Sequence, residues 1–220
     1  MRPYLLIGLV IMSILDSLAL FGAAAKSREF SAELVAIDPH GNSTKGMLNV
    51  AGSKVRMETP EVTTGFFLFM GDSAYFVRPG QRTFMDAKQS SLLAQIFIPV
   101  DTETPCERWQ AMANLSGAAD NGGEWRCDRV ADETVGGRGT VLFTAISPRH
   151  RSYSIWIDKE FNFPLRLEAE DGSSYRLEQI EEKPQPPGLF MVPRGYAKFD
   201  PRKLIERLKQ SDVWVIEPPR

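Results

Sequence analysis

The segment SYRLEQIEEKPQPPGLFMVPRGYAKFD, residues Ser174–Asp200, is the most informative guide to the architecture of this chain. Its first part alternates, with Tyr175 and Leu177 in one row and the charged residues Arg176 and Glu178 in the other. Successive side chains of a β-strand point to opposite faces, so this pattern predicts a strand with one apolar and one solvated face. The proline-rich sequence EKPQPP then ends the strand, and LFMVPRGY follows as a closing segment. Nothing in the segment indicates catalytic chemistry.

The same alternation recurs along most of the chain. Turns rich in glycine, proline and aspartate separate the alternating runs at the spacing of β-hairpins. One apolar face and one polar face are typical of an antiparallel sheet. We predict strands over residues 28–38, 44–51, 54–59, 62–70, 73–78, 82–86, 124–133, 138–147, 151–158 and 163–182, the last of them divided at Asp171-Gly172.

Short helices interrupt this series of strands. Residues 88–97 carry apolar side chains at helical spacing and are followed by Pro99, which favours a helix end there. A second helix is expected to begin at Thr104-Pro105 and a third at Asp200-Pro201, because proline suits the first turn of a helix. Residues 213–216, VWVI, are expected to form an edge strand.

A long antiparallel sheet twists, and curling hides its edges. The predicted fold is therefore mainly β with short helices: a curled antiparallel sheet forming an unclosed half-barrel, plugged by the helix over 88–97. No repeat or low-complexity tract divides residues 26–220, so we expect one domain there. The concave apolar face is either a ligand pocket or an ordinary core, and the sequence leaves both open.

Residues 1–25 have the pattern of a signal peptide. Arg2 supplies the positive start, the run that follows is largely apolar, and residues 23–25 offer a small-residue cleavage site. Asp16 argues against a membrane span, because a carboxylate at the bilayer centre costs about 2.5–3.5 kcal/mol on insertion scales. We expect export with cleavage near Ala25, and the alternative is an uncleaved N-terminal anchor.

The two cysteines of the chain, Cys106 and Cys127, are consistent with export. An oxidising compartment favours joining such a pair, so we predict a disulfide between them. Two separate thiols are the alternative. The sequence has no CxxC motif, and no histidine lies near either cysteine, so a redox or metal role is not indicated.

The richest apolar segment is the predicted strand FFLFM. Both of its alternating rows are apolar, so we expect the strand to be covered on both faces. Nearby Arg56 can hold a lipid headgroup at a pocket rim or simply lie on the solvated face. If the concave face binds a ligand, this strand and the plug helix form its wall and lid; otherwise they are core. The candidate ligand-contacting residues are Phe66, Phe67, Leu68, Phe69, Met70, Leu92, Leu93, Ile96 and Phe97.

Sequence patterns of catalysis are missing. The two histidines, His40 and His150, lie in predicted turns, and the sequence has no HExxH, GxSxG or phosphate-binding loop. With 26 basic and 28 acidic residues, the formal net charge of −2 gives no basis for nucleic-acid binding. We therefore expect no enzymatic activity and no cofactor or bound metal.

Three segments together resemble a known superfamily. KGMLNVAGSKVRMET (45–59), FFLFMGDSAYFVRPGQRTFMDA (66–87) and the closing segment 174–200 are similar, in order and pattern, to the LolA/LolB-type lipoprotein carriers. The likeness is greatest to an uncharacterised exported family within that superfamily. It covers most of the chain beyond residue 25 and is weakest over 101–128.

The resemblance implies an unclosed barrel with a helical lid over an apolar cavity, located in the bacterial periplasm. It implies binding or carriage of a hydrophobic ligand, namely a lipid, an acyl chain or a lipoprotein, without catalysis. The alternative left open is a non-enzymatic envelope module with a filled core that senses or assembles with another protein. The expected partners are a lipid or lipidated protein, or another envelope protein, and not nucleic acid.

Overall fold

The computed structural model describes residues 28–59, 64–71, 73–87, 95–116, 123–200, 202–203 and 206. Within this part of the chain, one helix, α1, spans Pro105–Ser116, and two 3-10 turns span Pro79–Gln81 and Pro187–Phe190. The strands are β1 (Glu29–Ile37), β2 (Ser43–Ala51), β3 (Lys54–Glu58), β4 (Phe66–Met70), β5 (Ser73–Arg78), β6 (Thr83–Asp86), β7 (Arg126–Val135), β8 (Arg138–Ile146), β9 (Ser152–Asp158), β10 (Phe163–Ala169), β11 (Ser174–Glu182) and β12 (Ala197–Lys198).

All twelve of these strands belong to one sheet, in the order β12-β6-β5-β4-β3-β2-β1-β11-β10-β9-β8-β7. Strand β1 joins the two halves of the chain, because it pairs with β2 on one side and with β11 on the other. Neighbouring strands are antiparallel except for β12 beside β6. The sheet is curled and not closed into a barrel, so the predicted fold class is confirmed.

The predicted strands and the second helix are found with small shifts at their ends. The last predicted strand is divided as expected, into β10 and β11. Strand β4 begins at Phe66 rather than at residue 62, and residues 60–63 lie outside the described part of the chain. Strand β12 was not predicted; it has two residues, and its pairing depends on a distant segment.

The main hydrophobic core lies on one face of the sheet, here called the inner face. The alternate β1 residues Phe30, Ala32 and Leu34 belong to it, in agreement with the predicted alternation. Helix α1 and the segment before it, residues 95–100, pack against this face. Their contributions to the core are Ile96, Phe97, Ile98, Val100, Trp109, Met112 and Ala113.

A smaller cluster lies on the opposite, outer face of β4 and β5. It consists of Phe66, Leu68 and Val77, and Val192 and Tyr196 pack against it. The last two residues belong to the segment 183–200, here called the strap, which crosses the outer face after β11. The strap therefore gives this part of the sheet a second covered face.

Several expectations fall outside the described residues. They are the signal peptide over 1–25, most of the plug helix including Leu92 and Leu93, and the edge strand over 213–216. Gln95 and Ile96 at the end of the expected plug helix are helical, as are Arg202 and Lys203 of the expected third helix. Among the described residues, no helix has the length and apolar character needed to cross a membrane.

Candidate ligand-binding site

Strand β4 separates the predicted wall residues by face. Phe67 and Phe69 belong to the main core on the inner face, whereas Phe66 and Leu68 belong to the outer cluster. Met70, at the end of the strand, is partly buried. The expectation that this strand is covered on both faces is confirmed. A ligand on the inner face would therefore contact Phe67 and Phe69, but not Phe66 or Leu68.

Residues 95–100, here called the cover, pack against the inner face without joining the sheet. Ile96, Phe97, Ile98 and Val100 of the cover are each at most 5% exposed. Backbone and side-chain hydrogen bonds attach its two ends: the Val100 N–H donates to the Asn162 carbonyl at 2.9 Å, and Trp109 Nε1 donates to the Ile96 carbonyl at 3.2 Å. Between these points the cover is held by apolar packing.

Helix α1 is attached to two distant strands of the sheet. Cys106 in its first turn is disulfide-bonded to Cys127 of β7, with a Cα–Cα distance of 5.8 Å, as the sequence predicted. Arg108 Nη2 donates a 2.5 Å hydrogen bond to the carbonyl of Gly71, in the turn after β4. The helix is therefore fixed between two parts of the sheet that are far apart in strand order.

Aromatic rings extend the contact of α1 with the inner face. The ring centroids of Trp109 and Trp125 are 5.6 Å apart, and those of Trp125 and Tyr153 are 6.1 Å apart. Gln110 Oε1 accepts a 2.8 Å hydrogen bond from the Trp125 backbone N–H. The Trp125 indole N–H is buried without a hydrogen-bond partner among the described residues. Burial also raises the pKa of Tyr153.

An open cleft of about 1100 Å³ lies at the far end of the cover. Pro99 of the cover forms part of its wall, and so does Phe161, whose ring stacks on the core residue Phe30 at 4.6 Å. The apolar side of the cleft is therefore continuous with the main core. The lining residues are Arg28, Glu29, Val50, Gly52, Pro99, Glu160, Phe161, Asn162, Glu182, Lys183 and Pro184.

Arg138 and Asp158 support the cleft beneath Phe161. The Arg138 guanidinium carbon lies 3.8 Å from the centre of the Phe161 ring, and its Nε donates to Asp158 Oδ2 at 2.5 Å. Asp158 is fully buried, and its Oδ1 accepts the backbone N–H groups of Glu160 and Phe161, each at 2.7 Å. Burial alone would lower the pKa of Arg138, but the carboxylates of Asp158 and Glu182 outweigh it and the pKa is raised.

Further ion pairs complete a charged collar at the cleft. Arg28 Nη1 lies 2.8 Å from Glu160 and 3.6 Å from Glu182. Arg138 reaches the same two carboxylates at 3.2 and 3.4 Å. The collar joins the residue before β1, strands β8 and β11, and the turn after β9, and its polar side chains lie beside an apolar floor. This arrangement suits a molecule with an apolar part and a polar end.

Arg56 lies at a second, smaller cleft of about 520 Å³ on the outer face. Its guanidinium carbon is 3.6 Å from the centre of the Phe66 ring, and its Nη2 pairs with Glu58 at 2.7 Å. The alternative in which Arg56 lies away from the concave apolar face therefore agrees with the structure. A headgroup role at the rim of an inner-face pocket does not.

The inner face and the cleft offer contacts for binding. No cluster of three or more histidine, cysteine or acidic side chains within that part of the chain could hold a metal ion. His40 and His150 both lie in turns, as predicted from the sequence. The inner face supplies apolar surface, and the cleft supplies an apolar floor with paired charges around it.

The cleft was not predicted from the sequence. Pro99 was interpreted only as a helix stop, and Arg138, Asp158 and Phe161 were not among the candidate residues. A partial signal was available, because the DKEFN turn after β9 places an aromatic residue among charged ones. Arg138, which contacts this turn, lies at the start of β8 in another hairpin. Its contact with the turn exists because β8 pairs with β9.

Comparison with known proteins leaves the family open. No family model matches the sequence, and no curated protein matches it. Similar solved structures include an uncharacterised conserved protein from Thermus thermophilus, with a TM-score of 0.47 and 10% identity over 80% of this chain and 91% of that one.

Two further similar structures come from named groups of proteins. The Pseudomonas aeruginosa MucA/MucB complex matches with a TM-score of 0.39 and 12% identity, over 74% of this chain and 54% of that chain, so this chain spans about half its length. A LolA superfamily protein from Nitrosomonas europaea matches with a TM-score of 0.33 and 10% identity, over 76% of this chain and 91% of that one. Likeness at this level establishes no shared activity.

Proposed function

We propose that this chain is a non-enzymatic periplasmic binding or carrier protein for a hydrophobic ligand, namely a lipid, an acyl chain or a lipoprotein. The observation that carries the proposal is the cover: residues 95–100 place four apolar side chains on the inner face without pairing with any strand. The segment can therefore leave the inner face without breaking the sheet. The ligand would take its place against Phe67 and Phe69.

The inner face can be covered either by residues 95–100 or by a bound acyl chain. The energies of these two states are comparable. Exposing Ile96, Phe97, Ile98 and Val100 costs about 1.5–3 kcal/mol for each side chain, or roughly 6–12 kcal/mol in total. Burying an acyl chain of about 14 methylene groups returns roughly 11 kcal/mol at about 0.8 kcal/mol for each group. Burial of a long acyl chain therefore returns an energy of the same size as that lost by the cover, whereas a short chain returns less.

Export to the periplasm belongs to the same proposal. The N-terminal sequence pattern, with its basic start and small residues at 23–25, supports cleavage near Ala25 and a mature domain over 26–220. The disulfide between Cys106 and Cys127 supports an oxidising compartment. Fractionation of cells and the mass of the purified chain test both points, because an uncleaved, membrane-associated chain would contradict them.

Native mass spectrometry and lipid extraction of the exported protein test the carrier function. We expect co-purified lipid, or uptake of palmitate after lipid removal. The neighbouring substitutions Phe67→Leu and Phe66→Leu are a matched pair, because both remove ring surface from β4 but on opposite faces. Phe67→Leu should weaken palmitate binding severalfold, and Phe66→Leu should leave it unchanged. Absence of lipid and of palmitate uptake would contradict the proposal.

A second candidate is a non-enzymatic envelope module whose core stays filled and whose surface binds or senses another protein. The observation that favours it is the complete burial of Ile96 and Phe97. Met47 and Met191, which are 44% and 58% exposed, are suitable positions for photocrosslinking groups. A single protein crosslinked reproducibly from one position, with no lipid bound to the chain, would favour this function over the carrier.

A further inference from the structure

The attachments of the cover and of α1 differ in kind. Helix α1 is fixed by the covalent Cys106–Cys127 bond and by the hydrogen bond from Arg108 to Gly71. At the other end of the cover, one backbone hydrogen bond joins Val100 to Asn162 in the turn after β9. Displacing the cover from this end therefore breaks no covalent bond and no strand pairing.

The disulfide of α1 and the hydrogen bond of Val100 to Asn162 lie near opposite ends of β9. Cys127 of β7 is paired with Ala145 of β8, and Ala145 is paired with Tyr153 of β9. Tyr153 therefore marks the end of β9 near the disulfide, whereas Asp158 marks the end near the cleft. Five residues of extended strand separate them, or about 17 Å. The cleft is therefore well away from the disulfide, at the end of the cover where one backbone hydrogen bond holds Val100 and residues 101–104 lead to α1.

We propose that the cleft beside Pro99 and Phe161 is the entrance through which an acyl chain reaches the inner face, while the disulfide-bonded helix α1 is a fixed wall. This inference rests on the proposed carrier function and specifies its route. The cleft wall contains Pro99 itself, so movement of Pro99 and Val100 connects the cleft with the core under the cover. The Phe161–Phe30 stack provides a continuous apolar path.

On this route the charged collar lies outside the path of the acyl chain. Arg28, Glu160 and Glu182 surround Phe161 at the cleft and remain partly exposed to water. An amphiphile that enters chain first leaves its polar end at this collar, where hydrogen-bonding partners and water are both present. The collar therefore favours ligands with a polar end over pure hydrocarbons.

Site-specific fluorescence tests the route with palmitate as the probe. Both cysteines of the chain are in the disulfide, so an introduced cysteine is the single reactive thiol. We would attach an environment-sensitive dye at Pro99→Cys, at Glu160→Cys on the facing side of the cleft, and at Asn114→Cys, an exposed position on α1. The Glu160 variant serves if Pro99→Cys does not fold.

Palmitate should shift the dye emission at residues 99 and 160 and leave it unchanged at 114. Reduction of the disulfide should not speed palmitate uptake, because α1 does not have to move. A response at 114 but not at the cleft positions, or faster uptake after reduction, would overturn the entrance while leaving the carrier function intact. Palmitate that fails to bind the unlabelled protein, measured by native mass spectrometry, would contradict both.

Discussion

The indole Nε1 of Trp109 donates a 3.2 Å hydrogen bond to the backbone carbonyl of Ile96, and both residues are fully buried. This contact joins α1 to the cover within the main hydrophobic core. The same carbonyl also accepts the Ile98 N–H at 2.8 Å, so the indole adds a second hydrogen bond, one that comes from outside the cover. The cover thus depends on the helix for its position at this end.

Substitution of Trp109 by phenylalanine should destabilise the protein by about 0.5–1.5 kcal/mol, the usual net contribution of one hydrogen bond, because the Ile96 carbonyl still accepts the Ile98 N–H. Urea unfolding measures the change. Trp156→Phe is the matched control, because Trp156 Nε1 donates at 2.7 Å to Glu133, a side chain that can turn to water when the bond is lost. Equal losses in the two variants would show that the buried carbonyl of Ile96 is not the cause.

Removal of the disulfide should cost about 3 kcal/mol of unfolding free energy, because Cys106 and Cys127 close a loop with a sequence separation of 21. We expect this loss in the double substitution Cys106→Ser and Cys127→Ser, measured by urea unfolding at neutral pH. Reducing agent should destabilise the original protein by a similar amount and leave the double variant unaffected. A reductant effect on the double variant would point to another cause.

Asp158→Ala should be among the most damaging single changes at the cleft. It removes a buried carboxylate that binds Arg138 and two backbone N–H groups, and breaking a buried pair in this way costs about 3–5 kcal/mol. Asp132→Ala is the matched control on the surface, where Asp132 pairs with Lys159 at 2.9 Å and such exposed pairs contribute little to stability. Denaturant midpoints of the two variants should differ clearly, and similar midpoints would contradict the structural role of Asp158.

Much of the sheet could be predicted from the sequence because its signals are local. The pair Gly136-Gly137 marks the turn between β7 and β8, and both residues adopt positive φ values, 57° and 80°, which glycine accepts without strain. Alternation likewise placed Phe30, Ala32 and Leu34 of β1 on a common face. These features need no knowledge of distant residues.

The strap and the cleft could not be predicted because they depend on contacts between distant segments. Strand β12 exists because Ala197 and Phe199 donate to the carbonyls of Arg82 and Phe84, which the strap reaches only after crossing the outer face. The alternation within β4 showed that two faces are apolar but did not show which one faces the cover. The sequence therefore could not separate Phe67 and Phe69 from Phe66 and Leu68 as candidate ligand contacts.

Asp38 in the turn after β1 should make the stability depend on acid. The side-chain amide of Asn42 donates to Asp38 Oδ2 at 2.7 Å, and backbone N–H groups of His40 and Asn42 donate to Oδ1, so the pKa of Asp38 lies below its usual 3.8. A lowered pKa in the folded state means that the carboxylate stabilises the fold above about pH 4 and that this contribution is lost as the pH falls through the folded-state value. Asp38→Asn should therefore lower the melting temperature at pH 6 and have a smaller effect at pH 3.

Asp128→Asn, at an exposed position on β7, is the control for this experiment. A difference between the original protein and Asp38→Asn that stays constant from pH 6 to pH 3 would contradict the role assigned to the Asp38 charge.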